Sequence, residues 1–275
     1  MGLGFSQTFA LDRSLLSSAL RALHANPGID DRSLAQEIGV GGRKGMGFSA
    51  WLLYTGLRTS RPKKLSEMGE LIRNFDPYLE DVGTCAVLHY QLCANPSATV
   101  WNLLSMKFVP QKFAFSRKEA TDFCIAQGLR KEGAKNKHLV SDIGIFLQAY
   151  TSPEGLQALA YLRKQTDESY RKGDIAKKIH PLLVAYVIYA QRERRIQTST
   201  LAIRSLVNDD GNVGKVFLMD REILLEKLRQ LEVEGLVRIS QEADLDNITY
   251  TYTGSSLEIL KRYYEMDIKN ATQSY

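Results

Sequence analysis

DREILLEKLRQLEVEGLVRISQEADLDNITYTYTG, residues 220–254, is the stretch that decides the fold. Leu224, Leu228 and Leu231 recur at helical spacing and form one apolar stripe. Asp220 is typical of a helix N-cap, and Gly235 is typical of a helix end. β-Branched and aromatic residues lie on both sides of a polar tip, which predicts two strands. A helix, a glycine stop and a strand pair form the plan of a winged helix.

The composition is typical of a globular protein without a membrane span. Of the 275 residues, 44% are hydrophobic and 24% are charged. No apolar run approaches the roughly 20 residues that a membrane helix needs, and the first residues lack the pattern of a signal peptide. The three cysteines are widely spaced, which argues against a disulfide framework. We therefore expect a cytoplasmic protein that does not bind membranes.

The net charge of +5 is unevenly distributed along the chain. Residues 1–75 carry 10 basic and 6 acidic side chains, and residues 151–205 carry 10 and 5. Residues 206–275 carry 8 and 13 instead. A polyanion such as DNA should prefer the front and middle of the molecule to its end.

Residues 1–75 repeat the winged-helix plan. Apolar residues at helical spacing predict three helices, of which the first ends at Asn26-Pro27-Gly28. The third helix ends near Gly56, a basic tip follows at residues 58–65, and a closing helix begins near Ser66. Pro62 restricts any strand in that tip to edge pairing.

The whole pattern predicts a mainly α protein of linked winged-helix and helix-turn-helix units with small β-wings. We expect a winged-helix unit at 1–75, a helix-turn-helix-like unit without a recognisable wing at 76–150, a basic linker at 151–178 and a second winged-helix unit at 179–268. In the last unit we expect residues 216–218, Val-Phe-Leu, to form the short first strand.

A glycine-rich stretch, residues 39–47, lies between the second and third predicted helices. It lacks the Walker A spacing and does not follow a strand. Backbone N–H groups beside Arg43 and Lys44 could hold a DNA phosphate. Alternatively the glycines only form the turn, and the two interpretations are compatible.

Cys85, His89 and Cys93 share one face of a predicted helix, with Cys124 as a further candidate zinc ligand. The two end cysteines lie about 12 Å apart along the helix, too far for one ion. We therefore expect these side chains to pack in a core and predict no metal site and no cofactor. No residue pattern supplies a nucleophile with its base or a pair of metal-binding carboxylates, which predicts a protein that is not an enzyme.

Four short segments resemble one bacterial family. They are residues 5–11, FSQTFAL; 51–57, WLLYTGL; 76–81, DPYLED; and 88–89, LH. The chain resembles the domain-of-unknown-function family 4007, which is found beside phosphoadenosine-phosphosulfate-reductase-like genes in DNA phosphorothioation and defence loci. The resemblance covers most of residues 5–150 and implies a role in DNA modification or phage defence. It provides no catalytic residues.

We therefore expect a duplex-DNA-binding accessory protein of such a system, and we assign ten basic residues of the front and middle to DNA: Arg43, Lys44, Arg58, Arg61, Lys63, Lys64, Lys135, Lys137, Arg163 and Lys164. The charged side chains of the last unit favour contact with other subunits or a homodimer through residues 179–268: Glu222, Glu226, Arg229, Glu242 and Asp244. Two alternatives remain open at this point. One is a protein scaffold without DNA contact, and the other is a repressor of its own operon.

Overall fold

A computed structural model shows two compact units, Met1–Asp174 and Ile175–Tyr275. The structure describes residues 3–129, 137–194, 198–242 and 245–273. Most of these residues lie in helices, and the described strands form small antiparallel sheets. The expectation of a mainly helical protein with small sheets is therefore confirmed.

The described α-helices and strands of the first unit are, in chain order, α1 (Arg13–Ala25), α2 (Asp31–Glu37), α3 (Gly42–Tyr54), α4 (Glu67–Phe75), α5 (Val82–Ala94), α6 (Thr99–Leu103), β1 (Ala114–Phe115), α7 (Arg117–Cys124), α8 (Lys137–Thr151), β2 (Leu162–Lys164) and β3 (Tyr170–Lys172). Those of the second unit are α9 (Ile175–Lys178), α10 (Pro181–Arg194), β4 (Thr200–Ala202), α11 (Ile203–Asn208), α12 (Val213–Val216), α13 (Arg221–Val233), β5 (Val237–Glu242), β6 (Leu245–Tyr250) and α14 (Ser256–Gln273).

The helices of residues 1–75 form where the sequence places their start and stop signals. The carboxylates of Asp12 and Asp30 accept N–H groups of the first turns of α1 and α2, and the Ser66 hydroxyl does the same for α4. Between α3 and α4 the chain closes into a loop through a single bridge, Arg58 to Leu65. The predicted basic tip is therefore a closed loop held by few backbone hydrogen bonds.

A three-stranded sheet lies in the later part of the first unit, with the strand order β1-β3-β2. Both neighbouring pairs are antiparallel, and β2 and β3 form a hairpin. This hairpin lies within residues 151–178, for which the sequence predicted only a basic linker. The middle of the chain thus carries an antiparallel hairpin that the sequence did not reveal.

In the second unit, α13 and the two strands after it follow the sequence closely. Asp220 caps α13, Gly235 adopts a φ of 72° after its end, and β5 pairs with β6 in antiparallel register. The first strand lies elsewhere than expected. Val216 is the last residue of α12, and Leu218 has a positive φ, whereas the strand that joins the sheet is β4.

The two units share one order of elements. In each unit a helix precedes a short strand, and two or more helices and a hairpin follow that strand. The last strand in sequence lies in the middle of the sheet, which has the order β1-β3-β2 in the first unit and β4-β6-β5 in the second. No helix in the described parts of the chain is long and apolar enough to cross a membrane.

The N-terminal segment is anchored in the core of the first unit. The ring of Phe5 lies 4.9 Å from that of Trp51 and 5.6 Å from that of Trp101. Nearby, the backbone N–H of Gly4 donates to the carboxylate of Asp142 on α8 at 2.7 Å. Asp142 is only 2% exposed, and burial raises its pKa to about 6 although the Gly4 hydrogen bond opposes the shift.

This buried carboxyl group should make the free energy of unfolding depend on pH. Because its pKa is higher in the folded chain, the folded state holds an extra proton between about pH 4 and pH 6, and stability falls as pH rises through that window. A shift of about two pKa units corresponds to about 3 kcal/mol. Asp142→Asn should therefore gain stability relative to the wild type between pH 4 and pH 7, by up to that amount, in urea unfolding at each pH.

Glu37→Gln changes an exposed carboxylate at the end of α2 and serves as the control, for which we expect no comparable trend. A stability difference between Asp142→Asn and the wild type that stays constant from pH 4 to pH 7 would contradict this account.

Candidate nucleic-acid interface

The glycine-rich stretch before and within α3 divides into two parts with different roles. A Cβ on Gly45 would lie 2.3 Å from the Cβ of Ala35, and one on Gly47 would lie 2.6 Å from a backbone oxygen. These two glycines allow close helix packing. Gly41 and Gly42 have no neighbour at that distance, and Gly41 caps α3 without a side-chain hydrogen bond. Gly45 and Gly47 therefore serve helix packing, whereas a phosphate contact beside Gly41 and Gly42 stays a prediction.

Arg58 faces the protein rather than the solvent. Its guanidinium donates to the backbone oxygens of Ser49, at 2.8 Å, and of Thr59, at 2.9 Å. Burial lowers its pKa, which the charge of Asp31 partly offsets. The side chain fastens the loop to α3, and its donors are largely used within the protein.

Lys63 is also partly neutralised within the protein. Its ammonium group lies 2.8 Å from the carboxylate of Asp31 on α2. Burial raises the pKa of Asp31, but hydrogen bonds from Lys63 and Ser49 and the nearby positive charges outweigh it and leave that pKa below its usual value. The ion pair ties the loop to the second helix.

Three cations of this region remain open to solvent. Arg43, Arg61 and Lys64 are exposed, and none of them forms an ion pair with a described residue. Lys44 is half-buried and lines a cavity whose walls also include Asp12 and Glu154. The exposed trio, which we call the front cations, is the strongest candidate for contact with phosphates.

The basic residues of the middle region have mixed surroundings. Arg163 and Lys164 lie on β2, where Arg163 pairs with Asp174 at 2.6 Å and Lys164 pairs with Glu168. Lys137 is exposed at the start of α8. Lys135 lies outside the described residues. Phe113 and Arg171, which the sequence did not single out as a pair, contact each other beside this hairpin.

The second unit has a different charge pattern around α13 and the strands after it. Glu222, Glu226 and Arg229 are exposed on α13, and Arg221 forms an ion pair with Asp246 of β6. Asp244 and the side chain of Glu242 lie outside the described part of the chain. The exposed surface of α13 therefore carries acidic groups beside basic ones.

The Cys85, His89 and Cys93 spacing serves the core of the first unit. All three side chains are fully buried. His89 Nδ1 lies 2.7 Å from the Tyr150 hydroxyl, and the Cys93 thiol donates to the Ser105 hydroxyl at 3.1 Å.

Burial also determines how the thiols ionise. It raises the pKa of Cys85 to about 11 and that of Cys93 to about 12, so both remain protonated at neutral pH. Burial likewise raises the pKa of Cys124 to about 12. Within the described residues, no group of three or more histidine, cysteine or acidic side chains is arranged to hold a metal ion.

Solved structures with a similar fold exist. A magnesium ion-bound SspB crystal structure superposes with a TM-score of 0.81 at 16% identity, covering 96% of this chain and 88% of the other. A second SspB crystal structure gives a TM-score of 0.80 at 17% identity with the same coverage. At this identity the likeness shows a shared fold.

The curated proteins contain no match to this sequence. A family model does match it, and the match runs over residues 5–264, through both compact units. The family is described as a protein of unknown function, DUF4007. The chain belongs to the DUF4007 family.

Proposed function

We propose that this protein is a non-catalytic accessory subunit of a bacterial DNA-modification or phage-defence complex and that its first unit binds duplex DNA. The carrying observation is the division of charge between the two units. The first unit has 22 basic and 17 acidic residues, and the second has 14 of each. The whole net charge of +5 therefore belongs to the first unit, where the front cations have no carboxylate partner among the described residues.

The arrangement of elements supports a winged-helix interpretation of both units. In both units a helix and a short strand are followed by two or three further helices and a hairpin whose final strand lies in the middle of the sheet, an order that agrees with a winged helix. In that interpretation α8 and α13 are the third helices, and β2–β3 and β5–β6 are the wings. The helices and closed loop of residues 1–75 form a reduced version whose loop replaces the wing.

The biological setting follows from the family resemblance. The chain belongs to DUF4007, and the sequence resemblance places this family beside genes for DNA phosphorothioation. A subunit that binds duplex DNA would bring the other members of such a system to DNA. The non-catalytic part of the proposal rests on the sequence, which offers no nucleophile with a base. One structure of similar fold, SspB, was solved with magnesium bound, so a test of catalysis should include that ion.

The second unit is better suited to a protein partner than to DNA. Carboxylates on α13 would face phosphates if that helix entered a groove, whereas interspersed charges of both signs suit a protein surface. A scaffold that never contacts DNA is the alternative that this surface favours. An operon repressor would in addition require a dimer and a site with two half-sites.

The front cations should determine the affinity for duplex DNA. Each phosphate contact contributes about 0.9 to the slope of log K against log salt, so replacing Arg43, Arg61 and Lys64 by alanine should weaken binding to all sequences and reduce the slope by up to about 2.7. The measurement is a salt series of fluorescence anisotropy titrations with a labelled duplex. Lys261→Ala, which removes an exposed cation of the second unit that pairs with Glu265, is the control. Equal slopes in the triple variant and the wild type would place the DNA site elsewhere.

The acidic residues of α13 should mediate association with protein. Reversing Glu222 and Glu226 to lysine should abolish self-association in analytical ultracentrifugation, or binding of the purified proteins encoded beside this gene, while duplex affinity remains within about twofold. Glu265→Lys on α14 is the control, because it changes an exposed glutamate away from α13. An unchanged association in the double variant would show that this helix is not the interface.

The purified protein should leave supercoiled plasmid intact in the presence of Mg²⁺. The expectation follows from the proposed non-catalytic role, and agarose electrophoresis over a time course measures it. If nicked or linear plasmid forms in proportion to the protein added, and a chelator prevents this, the protein is a nuclease and the accessory role is wrong.

A further inference from the structure

The exposed face of the sheet β1-β3-β2 carries two arginines side by side. In the register of this sheet Arg171 on β3 pairs with Arg163 on β2 and with Ala114 on β1. All three residues are exposed. Side chains of directly paired residues lie on the same face, about 5 Å apart at their Cβ atoms. The row Ala114, Arg171, Arg163 therefore presents two guanidinium groups beside a small side chain that leaves the surface open.

An exposed aromatic ring lies beside this row. Phe113, the residue before β1, is 66% exposed, a high fraction for a large apolar side chain. The guanidinium carbon of Arg171 lies 4.2 Å from the centre of its ring. The backbone oxygen of Phe113 accepts the N–H of Lys172 at 3.2 Å, which fixes the residue against β3. The ring and the guanidinium thus lie against each other and are both open to solvent.

The charge of this surface is only partly balanced. Like charges that are directly opposite each other across two strands destabilise a sheet. Arg163 is relieved by Asp174 at 2.6 Å, but among the described residues Arg171 has no carboxylate partner, and its guanidinium lies over the neutral ring of Phe113. An anion placed between the two arginines would remove this repulsion.

We propose that Phe113, Arg171 and Arg163 form a binding site for single-stranded DNA, in which a base stacks on the ring and guanidinium and an adjacent phosphate lies at the two arginines. Aromatic side chains and arginine planes are the usual stacking surfaces for unpaired bases. In a duplex the faces of the bases are covered by their neighbours, so a stacking surface favours a single strand. This site is separate from the front cations and goes beyond the proposed function.

A second arginine–aromatic contact in the same unit supplies a matched control. Arg21 lies over the ring of Tyr78, which is 59% exposed, at 5.4 Å. The adjoining cavity is lined by three acidic residues, Asp12, Glu80 and Glu154, against two arginines, Arg13 and Arg21, so its net negative charge would disfavour a nucleic acid. This pair has the same chemistry as Phe113 and Arg171 in acidic surroundings.

The test compares the affinity of the full-length protein for a labelled oligothymidylate with its affinity for a labelled duplex. Phe113→Ala should weaken single-strand binding by about tenfold, which is the loss expected for one base stack, and should change duplex binding by less than about twofold. Phe113→Trp should restore single-strand binding. Arg171→Lys keeps the charge and should recover only part of what Arg171→Ala loses, while Tyr78→Ala should have no effect.

Three results would overturn the site. They are an absence of single-strand binding by the wild type, equal single-strand affinity of Phe113→Ala and wild type, and an equal loss for single strand and duplex in that variant. Circular dichroism melting of Phe113→Ala and Phe113→Trp identifies any change that arises from unfolding. The triple variant of the front cations separates the two proposals. It should lose affinity for the duplex, and adding Phe113→Ala to it should still weaken its binding to the single strand.

Discussion

The hairpin of the second unit depends on the hydroxyl group of one buried tyrosine. Tyr189 lies on α10, donates to the backbone oxygen of Leu236 at 2.6 Å and accepts the N–H of Tyr252 at 3.1 Å. Leu236 precedes β5 and Tyr252 follows β6, so the Tyr189 side chain joins the first and last strands of the hairpin to α10. Loss of this hydroxyl would remove the acceptor of the Tyr252 N–H and the shorter of two hydrogen bonds to the Leu236 oxygen, which also accepts the N–H of Thr251 at 3.4 Å. A side chain of the core therefore helps to hold the β5–β6 hairpin against α10.

Because core contacts hold the hairpin in place, the side chains on its exposed face can differ between the two units. The two units share one sheet order, yet β2–β3 presents two adjacent arginines whereas Asp246 on β6 is joined to Arg221 of α13. The same scaffold thus offers an open basic surface in one unit and an internally paired surface in the other. Because fold and surface chemistry are separate properties, the likeness of the units supports a common architecture, and their charges support different partners.

Elements with strong periodicity were predictable from the sequence, and short polar ones were not. The apolar stripe, acidic cap and terminal glycine of α13 fixed its limits because each has a local cause. The strands β2, β3 and β4 have three residues each, too few to show alternation. In β2 only Leu162 is buried, so its basic neighbours resembled a linker. The apolar residues Val216 and Phe217 suggested a strand, although tertiary packing buries both without one.

The candidate DNA site was predictable as a set of basic residues, but its members differ in ways that only the fold reveals. Arg58 and Lys63 are used within the protein because Ser49 and Asp31 approach them from α3 and α2, and Asp31 is 32 positions from Lys63 in sequence. The exposed cations owe their availability to the absence of such a neighbour among the described residues. The number of basic residues in the sequence is therefore an upper limit on the number that can contact DNA. Ion pairs and hydrogen bonds within the folded protein determine how many of them remain available. Arg171 is one of these available residues, and the ring of Phe113 beside its guanidinium adds a surface on which a base can stack.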